Sequence, residues 1–402
     1  MPGQHKRLSA SGAERYIECS ASITMFERLF PDYNSDDDEE EWSAEGTCAH
    51  EGAAKCLIEG LDGWEVIGEK LYKDIEFNDE MSIGVQEYID YVRQMSEGAN
   101  RDVEITVDNM SVHKDFGGST DCCIHNLVRS KDGLQMSGFV HIIDFKYGAG
   151  IAREPDDPQL KYYAFGAILN LATLGELDPE TNVGLTIVQP RAFHKDGTIR
   201  EKWMTVKEIV SWAEETLIPA MHAVDGPNPN LKAGEWCRFC PGKIACPALH
   251  GAFKAMMNAD PRKAQTLTNE QLALEKEAFE VVKMYGKALD KEVYARIQKG
   301  QKVPGFALGP KRADRVFKDK QEIKGKEIKF KDAAAKAFGD KAFQDRKYLT
   351  PPNMEKLPGG SKFVKQWAYK PYNGDTVVKD DGSRQTTKVE THVEAFKGVK
   401  KA

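Results

Sequence analysis

The chain reads as an α/β or α+β fold with a mixed sheet flanked by helices. Three observations predict it. Helical patterns fill the first hundred residues. Strand patterns bounded by turn residues then cluster between about residues 103 and 205. A helical pattern over 157–175 separates a mostly antiparallel strand set from the further strands that follow it.

In order, residues 9–28 read as one helix with a serine start, carrying Cys19. Asp36–Glu41 is a block of like charge, expected as a solvated loop. Gly46-Thr47-Cys48-Ala49-His50 reads as a helix start running to about Leu61, and residues 79–98 as another helix. Val103–Val107, Ser119–Asn126 and Gln135–Phe145 read as strands, the last two split by the turn Ser130-Lys131-Asp132-Gly133. After the helix over 157–175, Val183–Gln189 reads as a short buried strand and Thr198–Thr205 as its neighbour past Lys195-Asp196-Gly197. Residues 206–224 close this set as a helix. The domain expected here covers residues 1–260, followed by a long helical linker over 261–299. Residues 300–402, rich in Pro and Gly turns, form an accessory region to which no fold is assigned.

Composition narrows the class. With 41% hydrophobic and 30% charged residues among 402, the chain has the make-up of a globular protein. It has no apolar run long enough for a membrane span, and Met1–Leu8 lacks an apolar signal core. The expectation is a cytoplasmic protein, in which eight cysteines serve as thiols or metal ligands rather than disulfides. Net charge is −7, but residues 301–402 hold 24 Lys and Arg against 13 Asp and Glu, a net of +11. That basic tail could attract phosphate, or be a solvated lysine-rich surface. There is neither a G-x-x-x-x-G-K-[ST] loop nor a G-x-S-x-G elbow, which argues against an autonomous P-loop helicase and a serine hydrolase of that type.

Chemistry concentrates at Asp144-Phe145-Lys146, where an apolar strand ends. Residues i and i+2 of a strand share a face, so Asp144 and Lys146 project side by side. A carboxylate there can hold Mg²⁺ or Mn²⁺, and an ammonium beside it can orient an attacking water and offset charge building on phosphorus. A lone D-x-K pattern reads more readily as a surface ion pair, because Asp and Lys alternate on many exposed strand ends. Its neighbours change that: Asp121 gives a second carboxylate one strand away, His50 a third ligand, and Gln159 and Tyr163 share one helix face four residues apart.

His50, Asp121, Asp144-Phe145-Lys146 and Gln159-Leu160-Lys161-Tyr162-Tyr163 resemble, in order and spacing, the motifs of RecB-type nucleases of the PD-(D/E)XK superfamily. The resemblance covers about residues 8–250. It implies that His50, Asp121, Asp144 and the Phe145 carbonyl are metal ligands and Lys146 the catalytic lysine. Gln159 and Tyr163 would be the Q-x-x-x-Y pair beside them. A family of phage- and prophage-encoded RecB-like proteins is similar over nearly the whole chain. The shared segments are Ser9-Ala10-Ser11-Gly12-Ala13-Glu14-Arg15, Gln189-Pro190-Arg191, Trp236–Pro241 and Leu349-Thr350-Pro351. It implies work on DNA in phage replication or recombination, inside a bacterial host cell.

Cys237, Cys240 and Cys246 form a C-x2-C-x5-C cluster that needs a fourth ligand. His250, four residues on, would complete a zinc site; Cys19 would complete one that joins both ends of the domain. Spacing alone slightly favours zinc, since local four-ligand zinc sites are common. CRISPR-associated RecB-type exonucleases and the AddB nuclease domain, by resemblance, carry one cysteine ahead of the histidine motif and three after the core. That implies a 4Fe-4S cluster on Cys19, Cys237, Cys240 and Cys246, acting as a structural staple. Cys48, Cys56, Cys122 and Cys123 read as buried small hydrophobes. The leading expectation is a metal-dependent DNA exonuclease. The alternatives are a DNA-binding or scaffolding protein with an inactive nuclease fold, and a zinc-stabilised module.

Overall fold

Two helices, α1 (Ala13–Glu18) and α2 (Ala21–Leu29), replace the single helix expected over residues 9–28. The break falls at Cys19, with φ −142° and ψ 80°. A distant segment holds it open: the Ala21 amide donates to Asn230 O at 2.9 Å, and the Asn230 amide donates to Ser20 Oγ at 2.8 Å. The computed structural model describes residues 6–29, 31, 41–149, 154–258, 267–311, 315–323, 326–344, 347–369, 371 and 375–379. The acidic residues 36–40, Gly150 and the turn at 380–382 lie outside them. Two compact units result, Met1–Tyr285 and Gly286–Ala402.

In the first unit, α3 (Glu41–Glu59) begins before Gly46 and Thr47, so His50 lies in mid-helix rather than after a helix start. Thr47 lies inside the helix, where its Oγ1 donates to Ser43 O, four residues back, at 3.1 Å instead of capping a helix start. A short hairpin, β1 (Lys70–Tyr72) and β2 (Ile75–Glu76), leads to α4 (Asp79–Met95), capped by Asn78. Then come β3 (Asn100–Asp108), β4 (Gly117–Arg129) and β5 (Gln135–Phe145). Asp157 caps and Pro158 opens α5 (Pro158–Ala172). The strands β6 (Glu176–Leu177), β7 (Asn182–Val188) and β8 (Ile199–Thr205) follow. A helical run over residues 206–225 closes the set.

These strands make a six-stranded mixed sheet in the order β3-β4-β5-β7-β8, with β6 beside β5. β5 runs parallel to β6 and β7; every other pair is antiparallel. The crossover through α5 imposes the parallel step. Helices cover both faces. One core joins α1, α5 and residues 206–224 to Val140, Ile142, Leu185 and Ile187. The other joins α3 and α4 to Cys122, Ile124, Ile143 and Phe145. Burial on both faces is why β5 and β7 are nearly unbroken apolar runs. Cys48, Cys56, Cys122 and Cys123 are all core residues.

One buried polar group gives the first unit an acid limit. The ring of His141 is fully enclosed, with Nε2 at 2.7 Å from Thr186 Oγ1 and no partner for Nδ1. Burial holds its pKa down at about 4 against an ordinary 6.5. Between those values the unfolded chain takes up a proton that the folded ring refuses, so stability is complete above pH 6.5 and falls as pH drops toward 4. The loss amounts to roughly 3 kcal/mol. Urea midpoints measured across that window should fall for the wild type, and less steeply for His141→Gln.

The second unit, taken by itself, is a small α+β assembly. The helices Phe330–Phe338 and Gly360–Trp367 pack Phe330, Ala334, Val364 and Trp367 around Met354. The rings of Phe317 and Phe330 stack at 4.4 Å, and Arg315 grips both oxygens of Glu355. Lysines 362 and 365 leave the same helix toward solvent.

Candidate active centre

Alternation along β4 and β5 sends Cys122, Ile143 and Phe145 into the α3–α4 core. Asp121 and Asp144 therefore face the other way, toward α5. The register Cys122↔Ile143 places the two carboxylates on adjacent strands near one end of the sheet. His50 reaches them from α3, with Nδ1 3.2 Å from Asp121 Oδ1. The other Asp121 oxygen accepts the Phe145 amide at 2.7 Å. Lys146 Nζ lies 2.8 Å from Asp144 Oδ2 and 3.0 Å from Oδ1. Phe145 turns its ring to the far face, between Tyr88 (4.9 Å) and His50 (5.2 Å).

The electrostatics separate the two acids. Asp144 is 2% exposed, and burial pushes its carboxyl up; Lys146 opposes this without cancelling it, while Asp121 adds to it. Burial would raise Asp121 too, but His50, Lys146 and the Phe145 amide hold it below the usual carboxylate range. Burial works against a charged His50, yet Asp121 outweighs it and the ring's pKa rises. Tyr163 is buried on α5 within the field of both acids and hydrogen-bonds Gln159. The sequence-expected residues are thus gathered on one end of the sheet. Among the described residues no three His, Cys, Asp or Glu side chains already form a metal cage. The donor set nevertheless suits a hard cation: two carboxylates and an imidazole, with Asp144 Oδ2 buried and accepting no well-angled hydrogen bond.

Two features acquire a role only from the structure. Glu104 sits in β3 at φ +52°, although it is not glycine. The flanking pairs Val103↔Cys122 and Ile105↔Thr120 put it opposite Asp121. The left-handed residue swaps the strand's faces: Val103 packs against the α3–α4 core, Ile105 and Val107 against the other. Its carboxylate accepts Ser119 Oγ at 3.1 Å and is shifted up in pKa by desolvation and by Asp121. Glu104→Gly and Glu104→Ala both remove the carboxylate, but only glycine relaxes that backbone. Glu104→Gly should therefore be the more stable variant by about 1 kcal/mol in urea unfolding.

The second feature is a brace behind the D-F-K segment. Gln189 donates to Gly148 O at 2.9 Å and accepts Arg200 Nη2 at 2.8 Å. Arg191 stacks on Tyr147 at 4.5 Å and pairs with Glu45 and Glu80. Gln189-Pro190-Arg191 thus positions the chain just past Lys146.

A separate cluster lies where α1 and α2 meet. Cys237 and Cys240 flank a short turn, and Cys246 precedes the helix Pro247–Met257. Cys19, Cys237, Cys240 and Cys246 are each about 95% buried, are free thiols, and Cys19 lies within the electrostatic reach of the other three. Cys19 Sγ accepts the Lys232 amide (3.5 Å), and Cys237 Sγ the Gly234 amide (3.4 Å). Backbone donors of this kind stabilise sulfur that carries negative charge. His250 instead is exposed and stacks on Tyr285 at 5.9 Å.

Fold and centre together define a mixed α/β protein with a carboxylate–imidazole–lysine centre at one end of its sheet. The chain belongs to the family DUF2800, described as protein of unknown function, whose profile matches residues 5–385. Two solved structures are similar to part of it. A "Putative exonuclease" from Eubacterium rectale is 11% identical, with a TM-score of 0.31, covering 56% of this chain and 83% of that one. The structure of SSO0001 is 15% identical, with a TM-score of 0.22, covering 57% and 94%. No described helix is long and apolar enough to cross a membrane.

Proposed function

We propose that this protein is a Mg²⁺- or Mn²⁺-dependent deoxyribonuclease of the PD-(D/E)XK type, degrading DNA from its ends during phage replication or recombination. The observation that carries this reading is the pairing of Asp121 and Asp144 on adjacent strands, with His50 3.2 Å from the first and Lys146 2.8 Å from the second. Asp121, Asp144, His50 and the Phe145 carbonyl would hold the cation, which supplies Lewis acidity to a phosphodiester. Lys146 orients the attacking water and offsets charge developing on phosphate oxygens. His50 and the Phe145 amide fix the rotamer of Asp121. Gln159 and Tyr163 position the substrate strand from α5. The basic tail adds phosphate contacts.

The four buried thiols belong, on this reading, to a 4Fe-4S cluster that pins α1 to the segment after residue 230. Cys19 supports it by lying with the trio, whereas His250 is committed to Tyr285. One observation favours a second reading, a DNA-complex scaffold with an inactive centre: residues 1–300 carry a net charge of −18. Anaerobically purified protein, incubated with end-labelled linear and closed-circular DNA and either cation, separates the two. Cation-dependent loss of linear DNA alone supports the exonuclease. Binding without cleavage under every cation tried would move the assignment to the scaffold.

A further inference from the structure

Arg15 sits on α1, one turn before Cys19, and its surroundings do not match its charge. Nη1 donates to Phe239 O at 3.1 Å, inside the turn between Cys237 and Cys240. Nε is buried and has no hydrogen-bond partner. Among the described residues no carboxylate pairs with it; the nearby Glu18 is taken by Lys232 at 2.8 Å. The Phe239 bond sets the guanidinium against the cysteine turn, where its charge favours the thiolate forms of Cys240 and Cys19. A buried cationic donor without an acceptor is costly. Its cost disappears when the thiols beside it become thiolates, because four thiolates around Zn²⁺ or a four-iron core leave a net negative centre.

We propose that Arg15 is the charge-compensating residue of the four-cysteine metal centre, its Nε–H turned to the anionic sulfur of that centre. This rests on the metal-centre reading above and adds to it a residue that is no ligand. Three donors then converge on the sulfurs: the Lys232 and Gly234 amides and the Arg15 guanidinium. The arginine also ties the centre to the fold, since the same side chain holds the Phe239 carbonyl. It is a positioning and tuning group, distinct from the nuclease centre.

The test compares full-length wild type, Arg15→Gln and Arg15→Lys, all purified anaerobically. Metal content is measured first. Release to excess chelator is then followed with time, and for an iron centre a dye-mediated redox titration is followed by absorbance. Removing the cation disfavours the more negative, reduced state. Arg15→Gln should therefore release metal about tenfold faster. Its reduction equilibrium should also shift about tenfold toward the oxidised state, which is about 59 mV for one electron. Arg15→Lys keeps the charge and should stay near wild type on both readouts. Equal release and equal potential in a folded Arg15→Gln overturn the proposal. So does a lysine variant as impaired as the glutamine one, which would make the role that of the Phe239 bond alone. A wild-type protein without bound metal would instead remove the metal-centre reading, and this inference with it.

Discussion

Asp144→Asn and Lys146→Ala should each lower DNA cleavage by about a thousandfold or more, the scale on which removing a group aimed at developing charge acts. The two should part company in stability. Lys146→Ala leaves a 2%-exposed carboxylate without its cation, at a cost of about 3 kcal/mol. Asp144→Asn removes the charge itself and should cost far less. The double variant should therefore be more stable than Lys146→Ala alone, a non-additivity that only direct coupling produces. Cleavage rates and urea midpoints on the four proteins read this out. Wild-type cleavage in both single variants would return the D-F-K segment to an ordinary ion pair.

If the four thiols hold a metal, Cys19→Ala should release it and lower thermal stability, whereas His250→Ala should do neither. The contrast is large because Cys19 and Cys237 would close a loop of more than two hundred residues. Opening such a loop costs at most about 5 kcal/mol in chain entropy. The actual loss should be smaller, since other bonds also tie the ends. Arg7 grips Glu27, Asp115 and Asp225, and Lys232 pairs with Glu18. Metal analysis with a melting curve checks it. Retained metal in Cys19→Ala, or its loss in His250→Ala, would replace the four-cysteine site with a local Cys3His one.

Much of the architecture was legible because it rests on local signals. β5 was read with its observed bounds, Gln135–Phe145, and β7 and β8 within a residue of theirs. Apolar runs between turn residues mark buried strands whatever they pack against. The reading failed at Cys19, where a helical pattern is broken by Asn230, two hundred residues away. It failed at the start of α3 because Gly46 and Thr47 carry a start signal that their neighbours override.

The candidate centre divides the same way. The sequence by itself determined which candidate side chains share a face: the Asp144–Lys146 pairing follows from a period of two, and the Gln159–Tyr163 pairing from a period near four. Only the tertiary structure decided how they meet. It brought His50 on α3 to Asp121, turned Glu104 through a left-handed backbone opposite that same acid, and left the buried Nε of Arg15 without a hydrogen-bond partner among the described residues. Those relations depend on burial and on contacts between residues far apart in the chain. A local pattern carries no record of either, because the field at a buried charge is set by whatever the fold packs around it.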